Sequence, residues 1–413
     1  MVLVGIPSSN VPTQGRVGFT DDLDSSVEPG ELVVRDARIL VAPDTPPIDR
    51  GTVLVRRGKI VEVGTNVVVP PTAKVIEGAG RVLTAGFWNT HVHFTEPKWR
   101  TRGRYARPLL EVHLHDMLTS RGFTTVIDTG SDPRYTLRLR RNIELEGWLG
   151  PRIYTAGPGL YPPHGIPYYL RDTVPALLRP FLPTPSNPRR ARRVVERSVA
   201  RGVDLIKLFT GSYAEPGTVR PMPEPIARAA VEAAHEHGRP VFSHPSNLEG
   251  TRVAVRAGVD VLAHPPDQTA GVDEPLIREM VDRRISMIPT LQMFERTVST
   301  TRSYLEPIYE VVRRFHELGG SLLFGTDVGY MPDYSIDDEL RALGGCGLSP
   351  SEILRSLTTA PAAKFGVGAA VGTVVPGARA DLVLLDADPL EDPRAFTRVR
   401  ATVRGGRILH RLP

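Results

Sequence analysis

Short apolar and β-branched runs recur along the middle of the chain, and a longer segment with helical spacing follows each one. There are eight such runs, at residues 88–94, 124–130, 152–158, 204–210, 240–246, 259–265, 285–291 and 321–327. Runs that are apolar on both faces are typical of buried parallel strands, because crossover helices cover such a sheet. Eight strand–helix units in succession predict an α/β fold with a (β/α)8 TIM barrel.

The two ends of the chain have a different pattern. Apolar and polar residues alternate, with glycine-bearing turns, in ELVVRDARIL and GTVLVRRGKIVEVG, and again near the C-terminus in RVRATVRGGRIL. This alternation predicts antiparallel strands. We therefore expect residues 31–84 and 371–413 to form one small β-sandwich domain, into which the barrel of residues 85–370 is inserted. Residues 1–30 carry no periodicity and predict an N-terminal arm.

Composition narrows the class of protein. The 413 residues are 41% hydrophobic and 23% charged, as in an ordinary globular protein. No apolar run approaches the roughly 18 residues that span a membrane, and MVLVGIPSSN does not resemble a secretion signal. We therefore expect a cytoplasmic protein with no membrane partner. A net charge of +5 does not indicate a nucleic-acid partner. Because Cys346 is the sole cysteine, a bound metal must be held by nitrogen and oxygen.

The first run contains a candidate pair of metal ligands, His91 and His93. Side chains of a strand alternate between its two faces, so imidazoles two residues apart point the same way. The histidine pairs at 113/115 and 235/237 have the same spacing. They fall in predicted helices, where residues two apart do not face each other. We therefore expect only the first pair to bind metal.

Three further donors end later runs. His244 comes late in the fifth run, His264 late in the sixth, and Asp327 closes the eighth. In a (β/α)8 barrel the active site forms at the C-terminal ends of the strands, so these side chains should converge with the first pair. Four imidazoles and a carboxylate suit zinc or a similar divalent ion.

Lys207 is a sixth candidate, because it lies inside the apolar run LIKLF of a chain with only five lysines and 46 arginines. A buried ammonium without a partner is costly. It could pair with a carboxylate such as Asp327, or its charged end could reach outward between helices. Alternatively, the neutral amine could be carbamylated by carbon dioxide and become a carboxylate that bridges two metal ions. Arginine could not do this, since it keeps its proton in proteins.

Taken together, these residues resemble the amidohydrolase superfamily. The likeness extends over about residues 31–411 and is greatest for the branch of imidazolonepropionase-like and prolidase-like proteins. It rests on the donor pattern and on GPRIYTAGPG, GVDLIKLFTG, LTTAPAAKFGV and GTVVPGARADLVLLDADPL. Each phrase alone is modestly specific, but their order and spacing together are strongly so.

The resemblance implies a binuclear metal-dependent hydrolase, in which a metal-bridging hydroxide cleaves an amide or peptide-like C–N bond of a small-molecule substrate. It implies two divalent ions, with zinc favoured. The first would be held by His91, His93 and Asp327, the second by His244 and His264, and carbamylated Lys207 would lie between them. Asp327 is the candidate to take the proton from the nucleophile and pass it to the leaving group.

Two positions depart from relatives. Asn89 stands where the family usually has an acidic residue, at a place that orients metal ligands. Thr95 stands where dihydroorotases and cyclic-amide hydrolases carry an arginine that would hold a substrate carboxylate, which argues against dihydroorotate. Substrate contacts are expected from loops that follow the strands. The candidates there are His164, Tyr168, Tyr169, Tyr213, Gln292 and Tyr330.

Several alternatives stay open at this point. Hydrolysis of an ester, lactone or phosphotriester would use the same two-metal hydroxide. A mononuclear deaminase on the same barrel is another candidate, although that use normally lacks the strand-four lysine. A binding protein built on an inactive hydrolase would be expected to lose ligands, and here all six positions are filled. Whether identical copies assemble is also open.

Overall fold

The computed structural model describes residues 17–19, 30–103, 105–171, 174, 177, 179, 182–298 and 300–413. The predicted arm therefore lies outside the described residues, except for 17–19 and residue 30. None of the helices in these ranges is both long and apolar enough to cross a membrane.

Strands and helices alternate through the middle of the chain, and strands dominate its two ends. The strands are β1 (Glu31–Ile39), β2 (Ile48–Arg56), β3 (Lys59–Gly64), β4 (Lys74–Glu77), β5 (Val82–Ala85), β6 (Phe87–Val92), β7 (Phe123–Asp128), β8 (Arg152–Thr155), β9 (Ile206–Phe209), β10 (Gly211–Glu215), β11 (Thr218–Pro221), β12 (Val241–His244), β13 (Val261–Leu262), β14 (Ser286–Met287), β15 (Leu382–Leu385), β16 (Val399–Arg404) and β17 (Arg407–Arg411).

The α-helices are α1 (Ala106–Met117), α2 (Pro133–Leu145), α3 (Tyr168–Arg171), α4 (Pro188–Ala200), α5 (Glu224–Glu236), α6 (Leu248–Ala257), α7 (Glu274–Asp282), α8 (Leu291–Met293), α9 (Arg302–Glu317), α10 (Asp337–Gly345), α11 (Pro350–Leu357) and α12 (Thr359–Lys364). Several begin at a side-chain cap, as where Ser349 and Glu352 form a capping box at α11. Short 3-10 helices span Pro97–Arg100, Thr119–Arg121 and Pro393–Thr397, and a π-helix spans Phe294–Val298.

The central part has a TIM-barrel-like α/β architecture. Strands β6, β7 and β8 form one parallel sheet, and β9, β12, β13 and β14 form another. Isolated parallel bridges connect their edges: 160 pairs with 208, 287 with 322, and 328 with 92. Seven of the eight predicted runs are thus strands, and the eighth, 321–327, is joined to its neighbours by bridges alone. A closed eight-stranded ring remains a prediction, because the named strands fall into two sheets.

A cluster of inward-facing side chains fills the space between these strands. It takes residues from all eight runs, together with an aromatic group at the side where the strands begin. There Phe19 stacks on Tyr154 at 3.8 Å and on Phe365 at 4.6 Å between ring centroids. Its backbone N–H donates to the carbonyl of Phe365 at 2.9 Å. The described piece of the predicted arm is therefore part of the core.

Both ends of the chain contribute to one mixed sheet of eight strands. Its order is β17-β16-β15-β5-β1-β2-β3, and β4 pairs with β1. Strand β15 from the C-terminal part pairs with β5 from the N-terminal part, with Leu384 opposite Leu83. Strands from both ends of the chain are thus hydrogen-bonded to one another. The two-layer arrangement of a sandwich and the domain boundaries stay predictions, since the strands form a single hydrogen-bonded sheet.

Buried ion pairs join this mixed sheet to the barrel-like part. Arg152 of β8 pairs with Asp381 at 2.9 Å, and Arg404 of β16 pairs with Glu144 of α2 at 2.5 Å. Each of these side chains is at most 5% exposed. Buried charges of this kind stabilise a structure only when both partners are present, so the contact is sensitive to loss of either one.

Candidate metal centre

His91 and His93 lie at the end of β6, where backbone pairing holds both residues against the eighth run. The N–H of Asp327 donates to the carbonyl of His91 at 2.9 Å, and the N–H of His93 donates to the carbonyl of Val328 at 2.8 Å. Asn89 adds a side-chain link, because its amide donates to the hydroxyl of Thr326 at 2.8 Å. The first and eighth runs are therefore fixed relative to one another at this site.

Each of three histidines uses its Nδ1 atom for a hydrogen bond that points away from the site. Nδ1 of His91 lies 2.9 Å from the carbonyl of Ala263, and Nδ1 of His93 lies 3.2 Å from that of Gly130. Nδ1 of His264 lies 2.7 Å from the hydroxyl of Thr290, which itself donates to a neighbouring carbonyl. Since a carbonyl only accepts, the proton is on Nδ1, and the lone pair is on Nε2.

The three Nε2 atoms converge on the carboxylate of Asp327. Nε2 of His93 lies 2.9 Å and Nε2 of His91 3.4 Å from Oδ1, and Nε2 of His264 lies 3.8 Å from Oδ2. His91, His264 and Asp327 each place one ligand atom within 4.8 Å of the others. Asp327 is buried, and its Oδ1 has no hydrogen-bond partner within the described part of the chain. A divalent cation would satisfy this oxygen and the lone pairs around it.

His244 and Lys207 lie on the neighbouring strands β12 and β9. The ring of His244 is 4.7 Å from that of His264 and stacks on Phe209 at 5.0 Å. Lys207 is 2% exposed, and its Nζ lies 5.6 Å from the centroid of the Phe209 ring. Across the residues that the structure describes, Nζ forms no hydrogen bond and no ion pair within 4 Å. Of the two ordinary roles considered for this lysine, a salt bridge to Asp327 is therefore not formed.

Burial controls the protonation of these groups. It lowers the pKa of His91 and His264 well below the ordinary value and that of His244 to about 3. Burial also lowers the pKa of His93, but the carboxylate of Asp327 outweighs it and leaves the pKa raised. Burial lowers the pKa of Lys207 to about 7, although Asp327 opposes the shift. Neutral imidazoles, which the lowered pKa values of His91, His244 and His264 favour, and a partly neutral amine are the forms that bind metal or carbon dioxide.

The tyrosines predicted to contact substrate lie in segments that follow the strands of the barrel-like part. Tyr168 and Tyr169 are in α3, and the ring of Tyr169 is 5.9 Å from that of Tyr330. Tyr213 is in β10, and its hydroxyl donates to Asp267 at 2.6 Å. His164 is exposed and has a left-handed backbone with φ of 56°. The rings of Tyr169 and Tyr330 therefore lie beside one another, and contact of the tyrosines with substrate remains a proposal.

Gln292 has a different setting from the one expected for a substrate contact. It is fully buried, and its amide nitrogen donates to the carbonyl of Ser335 at 3.0 Å. Its amide oxygen accepts from the N–H of Glu339 at 3.2 Å. The amide thus links two segments of the structure, and contact of Gln292 with substrate stays a prediction.

Sequence reasoning missed four residues around the site, one of which is Asp267. Thr290 orients His264, Glu339 binds the backbone beside Thr290, and Tyr304 donates to Asp267 at 2.8 Å. Asp267 follows His264 by three residues in the phrase HPPD, which is a weak signal for a residue at the rim. Thr290 and Glu339 lie 49 residues apart, and no local pattern connects them.

Comparison with known proteins gives a consistent result. A model described as the amidohydrolase family matches residues 82–409. Ochratoxinase from Aspergillus niger is 22% identical over 93% of this chain and 88% of its own length, and imidazolonepropionase from a Geobacillus species is 23% identical over 82% and 84%.

Solved structures show the same fold. A prolidase-like protein from Bifidobacterium longum superposes with a TM-score of 0.76 at 25% identity, covering 92% of this chain and 94% of its own. The structure of A. niger ochratoxinase gives a TM-score of 0.76 at 20% identity, covering 93% and 96%. These similarities agree with the TIM-barrel-like architecture described above.

Proposed function

The chain belongs to the amidohydrolase family, and we propose that this hydrolase cleaves an amide or peptide-like C–N bond of a small molecule at a centre of two divalent ions. The observation that carries the proposal is the convergence of three histidine Nε2 atoms on the buried carboxylate of Asp327, two of them beside Oδ1 and one beside Oδ2. Three lone pairs around one buried carboxylate would be unfavourable without a cation between them.

Six side chains would hold the ions, zinc being the favoured metal. The first ion would be bound by His91, His93 and Asp327, and the second by His244 and His264. Carbamylated Lys207 would bind both ions. When bound, two such ions supply a hydroxide near neutral pH and polarise the substrate carbonyl. The burial of Lys207 supports the carbamate, because a desolvated amine loses its proton readily. In that step Nζ forms a bond to the carbon of carbon dioxide, and the amine releases one proton.

Asp327 is the residue we propose for proton transfer. Its buried Oδ1 lies beside the Nε2 atoms of His91 and His93, where it could accept a proton from the nucleophile and deliver it to the leaving nitrogen. The tyrosines 168, 169, 213 and 330 are proposed to contact the substrate, as is the exposed His164. The relatives named for prolidase and imidazolonepropionase activity make dipeptides and N-acyl amino acids the first substrates to test.

Metal stoichiometry and turnover test this proposal together. Purified protein would be analysed by inductively coupled plasma mass spectrometry and assayed with dipeptides, N-acyl amino acids, lactones and aryl esters. Two ions per chain and a preference for amides are expected. Hydrolysis of lactones or esters without hydrolysis of amides would show that the centre cleaves C–O bonds and not C–N bonds.

One observation favours a second candidate, a mononuclear deaminase. His91, His264 and Asp327 form a three-ligand group without the help of Lys207. One ion per chain, release of ammonia from amino-substituted heterocycles and full activity without Lys207 would support it. The buried position of Lys207 beside the histidines favours the binuclear centre.

A further inference from the structure

A completely buried carboxylate lies behind the metal centre. Glu339 is in α10 and is 0% exposed. Its Oε2 accepts the backbone N–H of Gln292 at 2.8 Å, and the carboxylate also faces the N–H groups of Leu291 and Thr290. Burial raises the pKa of Glu339 to about 8, and in the described ranges no cationic side chain pairs with it. A carboxyl group in such a place is retained where its hydrogen bonds hold something.

The segment that it holds has an unusual backbone. Thr290 has φ of 44° and ψ of 41°, a left-handed conformation that β-branched residues rarely adopt. Surrounding contacts must stabilise this conformation. Glu339 contributes one such contact, because its Oε2 accepts from the backbone N–H of Gln292, two residues after Thr290.

The same turn orients a metal-ligand candidate. The Thr290 hydroxyl donates to the carbonyl of Pro289 at 2.8 Å, so it is left to accept from Nδ1 of His264 at 2.7 Å. That bond places the proton of His264 on Nδ1 and turns Nε2 toward Asp327. Outer hydrogen bonds of this kind fix both the tautomer and the orientation of a ligand histidine.

A second pair of bonds locks the two segments together. Gln292 accepts from the backbone N–H of Glu339 at 3.2 Å and donates to the carbonyl of Ser335 at 3.0 Å. The turn after the seventh run and the segment around the start of α10 are therefore joined by these hydrogen bonds.

We propose that Glu339 is a positioning residue for the metal centre, which holds the turn of residues 290–292 and, through the Thr290 hydroxyl, fixes the tautomer and direction of His264. The inference rests on the proposed role of His264 as a ligand. Glu339 itself touches neither metal nor substrate.

The test measures metal affinity, which a merely structural residue would not change. Zinc or cobalt dissociation constants of the full-length protein would be determined by chelator competition for Glu339→Gln, Thr290→Val and Thr290→Ser. Loss of an outer partner of a metal-bound histidine weakens affinity by about 10- to 100-fold. We expect a loss of metal affinity in this range for Thr290→Val and a loss near the lower end of the range for Glu339→Gln. Thr290→Ser keeps the hydroxyl and should bind metal as tightly as the unmodified protein.

The double variant Thr290→Val with Glu339→Gln should bind metal no more weakly than the worse single variant, because both act along one path. Glu144→Gln is the matched control: it alters a buried carboxylate at the mixed sheet and should lower stability with metal affinity unchanged. Unchanged affinity in both Glu339→Gln and Thr290→Val would overturn the inference. His264→Ala distinguishes failure of the positioning role of Glu339 from failure of the proposed ligand set, since full retention of metal in that variant would contradict the ligand set itself.

Discussion

Nε2 of His93 lies 2.9 Å from Oδ1 of Asp327, although the two residues come from the first and the eighth run of the chain. Backbone pairing sets this distance, because Val92 bridges to Val328 and the chain then turns sharply at Gly329. Gly329 has φ of 96°, and a Cβ there would lie 1.9 Å from the carbonyl oxygen of His93. Only glycine allows this close approach. The ligand geometry therefore depends on how these two segments meet.

Replacing Asp327 should abolish metal binding at one position. Asp327→Asn keeps the shape of the side chain but removes its charge and one acceptor oxygen. We expect loss of about one ion per chain, and a fall in affinity exceeding the roughly 10- to 100-fold typical of outer-partner changes. Metal analysis after dialysis measures the number of ions per chain, and chelator competition measures the metal affinity.

Asp49→Asn is the control for this change. Its carboxylate is 72% exposed and pairs with Arg38, so metal content and turnover should stay at the level of the unmodified protein. Full metal content in Asp327→Asn would show that the carboxylate is not a ligand.

Lys207 variants test the proposed carbamate. Lys207→Arg keeps a positive charge but cannot be carbamylated, because arginine stays protonated. Lys207→Ala leaves space in which a short carboxylic acid could take the place of the carbamate. Both variants should lose metal and activity. Added acetate or propionate should partly restore metal content and activity in Lys207→Ala but not in Lys207→Arg.

The exposed Lys59 supplies a matched control, and Lys59→Ala should behave as the unmodified protein. Native mass spectrometry should show an additional mass of carbon dioxide on the region containing Lys207. Undiminished turnover of Lys207→Arg without added acid would remove the carbamate from the mechanism.

The positions of the ligand candidates could be predicted because they depend on local geometry. Two histidines two residues apart on a strand share a face, and polar residues that end parallel strands meet at one edge. His91, His93 and Asp327 do meet in this way. The eighth run was the hardest to place, since 321–327 pairs with its neighbours through bridges instead of a regular ladder.

The supporting residues could not be predicted, because their partners are distant in the chain. Gln292 was interpreted as a substrate contact from its place after a strand, whereas Glu339 and Ser335 occupy its amide. Phe19 belongs to a segment without periodicity, and its burial depends on the stack with Tyr154 and Phe365. Such contacts follow from tertiary packing, which a periodic pattern does not encode.

The metal-free protein should lose stability as the pH falls. His244 has a pKa of about 3 when folded, against about 6.5 when unfolded. Above pH 6.5 the residue is neutral in both states and contributes no pH dependence. Between about pH 6.5 and 3 the unfolded chain binds the extra proton, so this residue lowers stability by up to about 1.4 kcal/mol per pH unit. His93, whose pKa is raised, acts in the opposite direction.

Urea unfolding of chelator-treated protein between pH 7.5 and 5 measures this effect. His244→Gln should flatten the dependence of unfolding free energy on pH, and the exposed His237→Gln should leave it as it is. If the unfolding free energy of His244→Gln depended on pH as steeply as that of the unmodified protein, His244 would not be the group responsible.

The buried pair of Arg404 and Glu144 should be essential for the stability of the junction between the mixed sheet and the barrel-like part. Glu144→Ala leaves a buried guanidinium without its carboxylate, which typically costs about 3–5 kcal/mol. Glu77→Ala breaks a pair with Arg35 that is about half exposed and should cost about 0–1 kcal/mol. Urea titration compares the two variants. Equal losses of unfolding free energy in the two variants would mean that the buried pair contributes no more to stability than the exposed pair.

Phe19 should stabilise the core from the side where the strands begin. Its ring is 8% exposed and stacks on two aromatic rings that belong to the central cluster. Phe19→Ala should therefore lower the free energy of unfolding by about 3 kcal/mol, as other buried aromatic truncations do. Val68→Ala, at a side chain that is 78% exposed, should have little effect. Because the ligand candidates lie at the opposite ends of the strands, metal affinity should be unchanged in Phe19→Ala. Unfolding free energies equal to those of the unmodified protein would show that residues 17–19 do not dock on the core in solution.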